Sequence, residues 1–160
     1  MSFFISFFTL FTLLFSYEVL AINHSPNPSP LALRPLPNYL VGVTIDDVSS
    51  LSAIVDSLKS LKRMPTARIV FDEFVKASYY VDPINKIYPV SFIMGELLDS
   101  EYVKQYSVSN YIKRANEYVS AFSDKVDLWE VGNEINGEWL GDTATVVQKM
   151  KGAYDVVKTS

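Results

Sequence analysis

The sequence predicts an α/β fold built on a parallel β-sheet, and three observations support this class. Four short runs rich in apolar and β-branched residues recur along the chain. Segments with helical spacing of apolar residues lie between and after these runs. Each run also ends in acidic residues. Strands that alternate with helices imply βαβ units and therefore parallel strands. The alternation alone fits half of a (β/α)8 barrel or a small doubly wound sheet.

The four predicted strands cover residues 40–45, 66–71, 88–94 and 126–131. Their side chains are largely apolar rather than alternating between apolar and polar. Such runs are typical of parallel strands that are covered on both faces.

Amphipathic helices are predicted over residues 51–61, 108–122 and 143–157. Asp82 and Pro83 resemble a cap followed by a first helical position, so a short helix is expected to begin there. The apolar side chains of the last helix are expected to face the core, and they are Val146, Val147, Met150, Tyr154 and Val157.

Polar side chains that accept backbone hydrogen bonds precede these helices. Asp47, Ser49 or Ser50 is expected to cap the first helix. Ser107 is expected to cap the helix over residues 108–122, and Asp142 the last one.

Length and composition limit the function. The chain has 160 residues, a formal net charge of −4 and no cysteine. A complete (β/α)8 barrel needs roughly 200 to 250 residues, so the chain is too short for one. The acidic balance and the lack of clustered Lys and Arg argue against nucleic-acid binding. The absence of cysteine excludes disulfides, thiol nucleophiles and cysteine-based zinc sites.

The N-terminus is typical of a secretory signal peptide. Residues 1–20 are dominated by apolar side chains and contain no Lys or Arg, and Val19 and Ala21 form a V-x-A cleavage signal. The absent positive charge departs from the usual pattern and leaves an uncleaved anchor as the alternative. The unbroken apolar run over residues 3–15 is short for a bilayer, which needs about 20 residues. We therefore expect cleavage after Ala21 and secretion.

Residues 22–38 form a proline-rich linker before the domain. Each proline removes a backbone donor, and they are Pro26, Pro28, Pro30, Pro35 and Pro37. Asn23 begins an N-glycosylation sequon. The only histidine, His24, lies in this segment, so a catalytic role for it is not expected.

Carboxylates follow every predicted strand: Asp46, Asp47, Asp72, Glu73, Glu96 and Glu134. Ligands of parallel α/β folds bind outside the carboxyl ends of the strands. The functional interpretation is a cleft whose acceptors bind sugar hydroxyls and transfer protons. The alternative is helix capping, which we expect for Asp47, Asp72 and Glu73. Both interpretations stay open for Asp46 and Glu96.

Glu134 stands in a more specific context, within residues 129–139 of sequence WEVGNEINGEW. An apolar strand that runs into Asn-Glu resembles the acid/base motif of the large glycoside hydrolase clan with (β/α)8 barrels. In that clan the motif closes strand four, which agrees with the fourth strand predicted here. The resemblance implies that Glu134 is the catalytic acid/base and that Asn133 contacts the substrate. Residues 39–160 would then be the first four βα units of the barrel.

Two further residues resemble substrate-site groups of the same clan, in a looser way. Arg68, inside the second strand, resembles an arginine that orients the catalytic carboxylates, although an ion pair with a neighbouring acid explains it equally well. Trp139 lies in a loop after a strand and is expected to stack on a sugar ring. Tyr79 and Tyr80 share this interpretation, and the alternative is that these aromatics cover edges of the core.

The chain departs from the clan pattern at several places. Gly132 and Ile135 stand where the motif often has an aromatic residue and a proline. The nucleophile of the clan lies on strand seven, so no residue here is assigned that role. A retaining glycosidase needs two carboxyl groups about 5 to 5.5 Å apart, and the acid/base alone is expected to give little turnover.

Three functions follow from these observations. The first is an O-glycosyl hydrolase, or a truncated fragment of one, that acts on an extracellular oligo- or polysaccharide. The second is a carbohydrate-binding half-barrel without catalysis. The third is an inactive truncated remnant whose open sheet edges favour self-association. No cofactor or metal is implied, because the chain has no glycine-rich phosphate loop and no metal-ligand spacing.

Overall fold

The computed structural model describes residues 34–160. The predicted signal peptide, its cleavage after Ala21, the sequon at Asn23 and most of the linker lie outside the described residues. Within residues 34–160, none of the helices has both the length and the apolar character needed to cross a bilayer.

The chain folds around one sheet of four parallel strands: β1 (Gly42–Ile45), β2 (Thr66–Val70), β3 (Phe92–Glu96) and β4 (Leu128–Glu130). Their order in the sheet is the order in the sequence. All three neighbouring pairs are parallel. The predicted α/β class with a parallel sheet is confirmed.

Five α-helices connect and follow these strands: α1 (Leu51–Ser60), α2 (Val81–Ile87), α3 (Ser100–Val103), α4 (Val108–Phe122) and α5 (Thr143–Lys158). Short 3-10 turns precede α2 and α5. The three long amphipathic helices confirm the predicted periodicity. The four-residue α3 was not predicted.

Two of the four predicted caps are confirmed. Ser107 Oγ accepts a hydrogen bond from the backbone N–H three residues later, and Asp142 Oδ1 does the same at the start of α5. The residue before α1, Ser50, makes no side-chain cap. Asp47 instead accepts hydrogen bonds from Ser49 N and Oγ, both at 2.7 Å, and so closes a turn that precedes the helix. A short helix is present near Asp82, but Asp82 is not its cap, because α2 begins at Val81 and Tyr80 is the N-cap residue.

The two faces of the sheet differ in what covers them. One face packs into the hydrophobic core with the helices, through Ile45, Ala67, Ile69, Phe71 and Ile93. The alternate residues belong to the opposite face and line an open depression, among them Thr44, Arg68, Met94 and Leu128. In the described part of the chain the helical core therefore covers one face of the sheet and leaves the other open.

The third strand begins later than predicted. Residues 88–91 were assigned to it, but Tyr88 extends α2 by donating its N–H to Ile84 O at 2.9 Å. Val90 N then donates to Ile87 O in a turn. The strand starts only at Phe92, because Tyr88 and Val90 belong to the end of α2 and to the turn after it.

The fourth strand is shorter than predicted, with three residues instead of residues 126–131. Before it, Asp127 N still donates to Ile93 O at 2.9 Å, so the backbone already follows β3. After it, the chain leaves the sheet, and the Asn-Glu motif lies in a loop beyond the strand.

The buried face of α5 is rotated relative to the prediction. Val146 is buried as expected, but Val147 and Tyr154 are 57% and 53% exposed. Lys149 is buried instead, and its Nζ donates to Val103 O at 2.8 Å. A lysine on a helix is normally read as solvent-facing. Here its alkyl chain packs inside and its ammonium group reaches a carbonyl.

The loop after β2 contains a strained aromatic residue. Phe74 has φ of 58° and is 69% exposed. Its ring stacks on Tyr106 with centroids 5.5 Å apart, and its N–H donates to Tyr106 Oη at 3.0 Å. A left-handed conformation costs roughly 1–2 kcal/mol for a residue with a side chain.

This strain predicts an inverted order of stability for two variants. Phe74→Gly and Phe74→Ala both remove the ring, but only glycine relieves the left-handed conformation. We expect the glycine variant to unfold with a free energy about 1 kcal/mol higher than the alanine variant, measured by urea denaturation. An alanine variant of equal or greater stability would contradict the backbone conformation.

Candidate functional site

Polar side chains form two groups at the carboxyl ends of β2, β3 and β4. The first group, called the arginine cluster, consists of Arg68, Glu96 and Glu130. The second, called the Glu134 cluster, consists of Ser100, Glu134 and Trp139. Only Glu130 and Ser100 in these groups were not candidates from the sequence.

The arginine cluster is organised by the strand register. Arg68 pairs with Met94 across β2 and β3, and Glu96 pairs with Glu130 across β3 and β4. Since side chains alternate along a strand, these groups share the open face of the sheet. Arg68 Nε donates to Glu130 Oε2 at 2.6 Å, and its Nη2 donates to Oε1 at 3.2 Å. This bidentate contact raises the pKa of Arg68, against the effect of burial.

Glu96 is the buried acid of the cluster, with a side chain that is 0% exposed. Its Oε2 lies 2.8 Å from Arg68 Nη2. This ion pair does not have the geometry of a hydrogen bond, and neither carboxylate oxygen of Glu96 has a hydrogen-bond partner among the described residues. Burial raises the pKa of Glu96 to about 7, although Arg68 opposes this. The charges of Glu130, Asp99 and Asp46 raise it further.

This raised pKa predicts how stability depends on pH. The ordinary value is 4.5, so between pH 4.5 and about 7 the unfolded chain loses the Glu96 proton while the folded chain keeps it. Folding stability therefore falls as pH rises through this range. The full difference corresponds to about 3 kcal/mol, which is an upper bound.

Glu96→Gln removes this titration. We expect the variant to gain about 2 kcal/mol relative to the native chain when the pH is raised from 5 to 8, measured by urea denaturation at both values. Glu101→Gln, on an exposed side chain nearby, is the matched control and should give no such gain. Equal pH dependence of the native chain and the Glu96 variant would show that Glu96 ionises normally.

The Glu134 cluster joins the start of α3, which follows β3, to the segment between β4 and α5. Ser100 Oγ donates to Glu134 Oε2 at 2.8 Å, and Trp139 Nε1 donates to Ser100 Oγ at 3.1 Å. Glu134 is solvent-exposed and has φ of 45°. Non-glycine residues in the left-handed region are concentrated at functional sites, where the surrounding structure holds them. The serine hydroxyl thus fixes a carboxylate that is open to solvent.

The indole of Trp139 lies against Gly137, and Trp139 is 53% exposed. A Cβ atom at Gly137 would be 2.5 Å from the indole, so this close approach requires glycine. Asp99 and Glu101 complete an open depression with the Glu134 cluster. A flat aromatic surface beside carboxylates suits a ring that carries hydroxyl groups.

The other candidate residues are placed less centrally. Asn133 is half-buried, and its side chain makes no hydrogen bond with the described residues. Asp46 is exposed and acts on Glu96 through its charge. Gly132, where the clan often has an aromatic residue, lies against α5, because a Cβ there would be 2.1 Å from Met150 Sδ.

The residues after β2 behave differently from their predicted capping role. No backbone N–H of the described chain donates to the carboxylate of Asp72 or Glu73, since the first helical turn begins only at Ala77. Tyr80 is buried and its Oη accepts from Asp72 N at 2.8 Å, which excludes it from sugar stacking. Tyr79 is exposed.

Arg114 is the main structural residue that the sequence did not reveal. It is buried on α4, and its guanidinium lies 4.5 Å from the Tyr118 ring centroid. It donates four hydrogen bonds, of 2.6 to 3.2 Å, to the carbonyl oxygens of Phe71, Asp72, Val75 and Leu97. These carbonyls follow β2 and β3, so Arg114 ties together the loops on which the site is built. The only signal in the sequence was its spacing, three residues after Tyr111 and four before Tyr118, which places it on the apolar side of α4.

A second arginine ties the segment before β1 to the opposite end of the sheet. Arg34 Nε donates to Asp127 Oδ1 at 2.9 Å, and its Nη1 donates to Tyr88 O at 2.8 Å. Asp127 Oδ2 also accepts from Ile93 N at 2.7 Å. Residue 34 belongs to the proline-rich stretch, so the end of that stretch is anchored to the sheet.

Comparison with protein-family models, with curated proteins and with solved structures found no match to this chain. In the described residues no group of three or more His, Cys, Asp or Glu side chains is placed to bind a metal ion.

Proposed function

We propose that the protein is a secreted O-glycosyl hydrolase, or a part of one, that acts on extracellular carbohydrate with retention of configuration. The observation that carries the proposal is the solvent-open Glu134 carboxylate, fixed by Ser100 beside the exposed indole of Trp139. The apolar sequence over residues 1–21 supports secretion.

Glu134 acts as the acid/base in this mechanism. In its protonated form it donates a proton to the glycosidic oxygen while the bond to the anomeric carbon breaks. A second carboxylate, which the clan resemblance places on strand seven, attacks the anomeric carbon as the leaving alcohol departs, and the product is a covalent glycosyl-enzyme ester. Ionised Glu134 removes a proton from water, and the resulting hydroxide displaces the enzyme carboxylate. Ser100 Oγ orients Glu134, and Trp139 supports the sugar ring.

We also propose that the four βα units are half of a (β/α)8 barrel. Two features support this: the strand order follows the sequence without reversal, and the face that would point to the barrel centre forms an open depression that contains Arg68. By the clan resemblance the nucleophile belongs to strand seven, which lies outside these four units. Asn133 would contact the substrate near Glu134.

The arginine cluster supports the proposed site from within the barrel. Arg68 fixes the Glu130 carboxylate, and Glu96 is too buried to contact a sugar. We therefore propose that Arg68 and Glu96 do not contact the substrate. Arg68 positions the Glu130 carboxylate, and Glu96 contributes its charge beside Arg68. Asp46 is exposed, so it remains a direct acceptor for a substrate hydroxyl.

Hydrolysis of a panel of aryl glycosides tests the proposal. A protein that contains this chain together with the strand-seven nucleophile should release the phenol from at least one glycoside, and proton NMR should show that the first sugar product keeps the anomeric configuration of the substrate. Inversion would contradict the retaining mechanism. If that protein is folded and hydrolyses no member of the panel, the hydrolase proposal is contradicted.

Carbohydrate binding without turnover is the second candidate, favoured by the exposed indole of Trp139. Trp139→Ala should weaken oligosaccharide binding by about 1 kcal/mol, roughly fivefold, in titration calorimetry. Tyr154→Ala, at an equally exposed aromatic on α5, is the control and should leave affinity unchanged. Binding with no hydrolysis would favour this candidate, and neither binding nor hydrolysis would favour an inactive remnant.

A further inference from the structure

The sheet has two open edges. Within residues 34–160, β1 is paired only with β2, and β4 only with β3. Both edges present unpaired backbone N–H and C=O groups, and the two edge strands run in the same direction because all four strands are parallel. Edges of this kind readily pair with another chain.

Exposed apolar side chains accompany the β4 edge. Val147 and Tyr154 are seven residues apart on α5, so they lie two turns apart on the same side of the helix. Both are more than half exposed. We call this pair the α5 row. The sequence predicted that both residues face the core, but the structure leaves them exposed.

An apolar groove accompanies the β1 edge. Its lining is mostly aliphatic and includes Val43, Ile45, Ile54, Leu58 and Leu61. Val43 and Leu61 are nearly half exposed, although both are large hydrophobic residues. The groove, called the α1 groove, lies between the first strand and the first helix.

The two surfaces occupy complementary places in a βα repeat. A helix that follows a strand also packs beside the next strand–helix unit of the sheet. α5 follows β4, so its exposed row faces the place of the next unit. β1 and α1 form the unit that no described helix precedes, and the α1 groove is the surface such a helix would cover.

We propose that two copies of this chain associate so that β4 of each copy pairs in parallel with β1 of the other. The α5 row of each copy then fills the α1 groove of its partner. A two-fold axis that coincides with the barrel axis repeats this contact and closes a barrel of eight strands. A barrel of this size has an interior that side chains can fill. One copy carries both the β4 edge with its α5 row and the β1 edge with its α1 groove. A second copy can therefore pair with both edges at once.

Association would also cover the open face of the sheet. Arg68 and Glu130 lie on that face and are only partly buried in one copy. The inference does not depend on hydrolysis, because it rests on the sheet edges and apolar surfaces alone.

Analytical ultracentrifugation of the full chain tests the proposal. We expect twice the mass of one chain at micromolar concentration. Val147→Lys and Leu61→Lys each place a charge in one half of the contact, and each should raise the dimer dissociation constant at least tenfold. Ser120→Lys adds the same charge on the exposed side of α4 and should leave the dissociation constant unchanged. Circular dichroism establishes that all three variants are folded.

Each alternative result would overturn the proposal. A native chain that remains monomeric at 100 µM has no such contact. A dimer that Val147→Lys and Leu61→Lys leave intact must form through another surface. A dimer that Ser120→Lys disrupts to the same extent is held by charge and not by these edges.

Discussion

Glu134→Gln is expected to lower hydrolysis of glycosides with poor leaving groups by roughly 10²- to 10⁴-fold, the usual contribution of general acid–base catalysis. Glutamine keeps the size of the side chain and its contact with Ser100, but it cannot donate a proton to the departing oxygen. Glycosides with acidic phenols need little protonation, so their bond cleavage should be affected much less. The measurement is kcat/KM across a series of aryl leaving groups.

Glu138→Gln is the matched control for this prediction. Glu138 is exposed, lies four residues after Glu134 in the same loop, and makes no side-chain hydrogen bond with the described residues. It should retain native rates on all substrates. Equal losses in the two variants, or a Glu134 variant whose loss is independent of the leaving group, would contradict the acid role.

Arg114→Ala is expected to destabilise the fold by about 3–5 kcal/mol, the range for mutations that break a buried charged network. The guanidinium fills the space between α4 and the ends of β2 and β3, and its removal leaves four carbonyl groups without their donor. Unpaired buried polar groups are costly because water does not reach them. Urea denaturation measures the effect.

The neighbouring residue provides the control for Arg114. Lys113→Ala removes a positive charge from an exposed position on the same helix and should change stability by less than about 0.5 kcal/mol. Arg114→Lys keeps the charge but cannot reach four carbonyls, so it should fall between the two. A loss below about 1 kcal/mol in Arg114→Ala would show that these hydrogen bonds contribute little.

The fold class followed from local patterns, because burial of a parallel sheet imposes apolar runs on the strands and helical spacing between them. The caps at Ser107 and Asp142 followed in the same way from short-range chemistry. The start of β3 did not, since apolar residues at the end of α2 resemble strand residues. The face of α5 was also misjudged, because whether Lys149 or Val147 is buried depends on its neighbours in the fold.

The candidate site was predictable only in part. The sequence singled out Glu134 and Trp139, but the serine that joins them lies 34 residues before the glutamate. Arg68 was expected to meet an acid, and the structure adds that Glu130 is its bidentate partner. Contacts of this kind depend on strand register, which a single sequence does not contain. The left-handed backbone conformation of Glu134 likewise has no signal in the sequence.

Chemical rescue of Glu134→Ala by azide tests the central claim most directly. In a retaining enzyme without its acid/base, a small anion can enter the vacated space and attack the glycosyl-enzyme without general-base assistance. With an activated aryl glycoside, we predict that azide accelerates turnover of the variant and yields a glycosyl azide of retained configuration. The experiment uses a protein that contains this chain together with the strand-seven nucleophile. A native protein that hydrolyses the substrate, together with a variant that azide neither accelerates nor converts to this product, would contradict the assignment of Glu134.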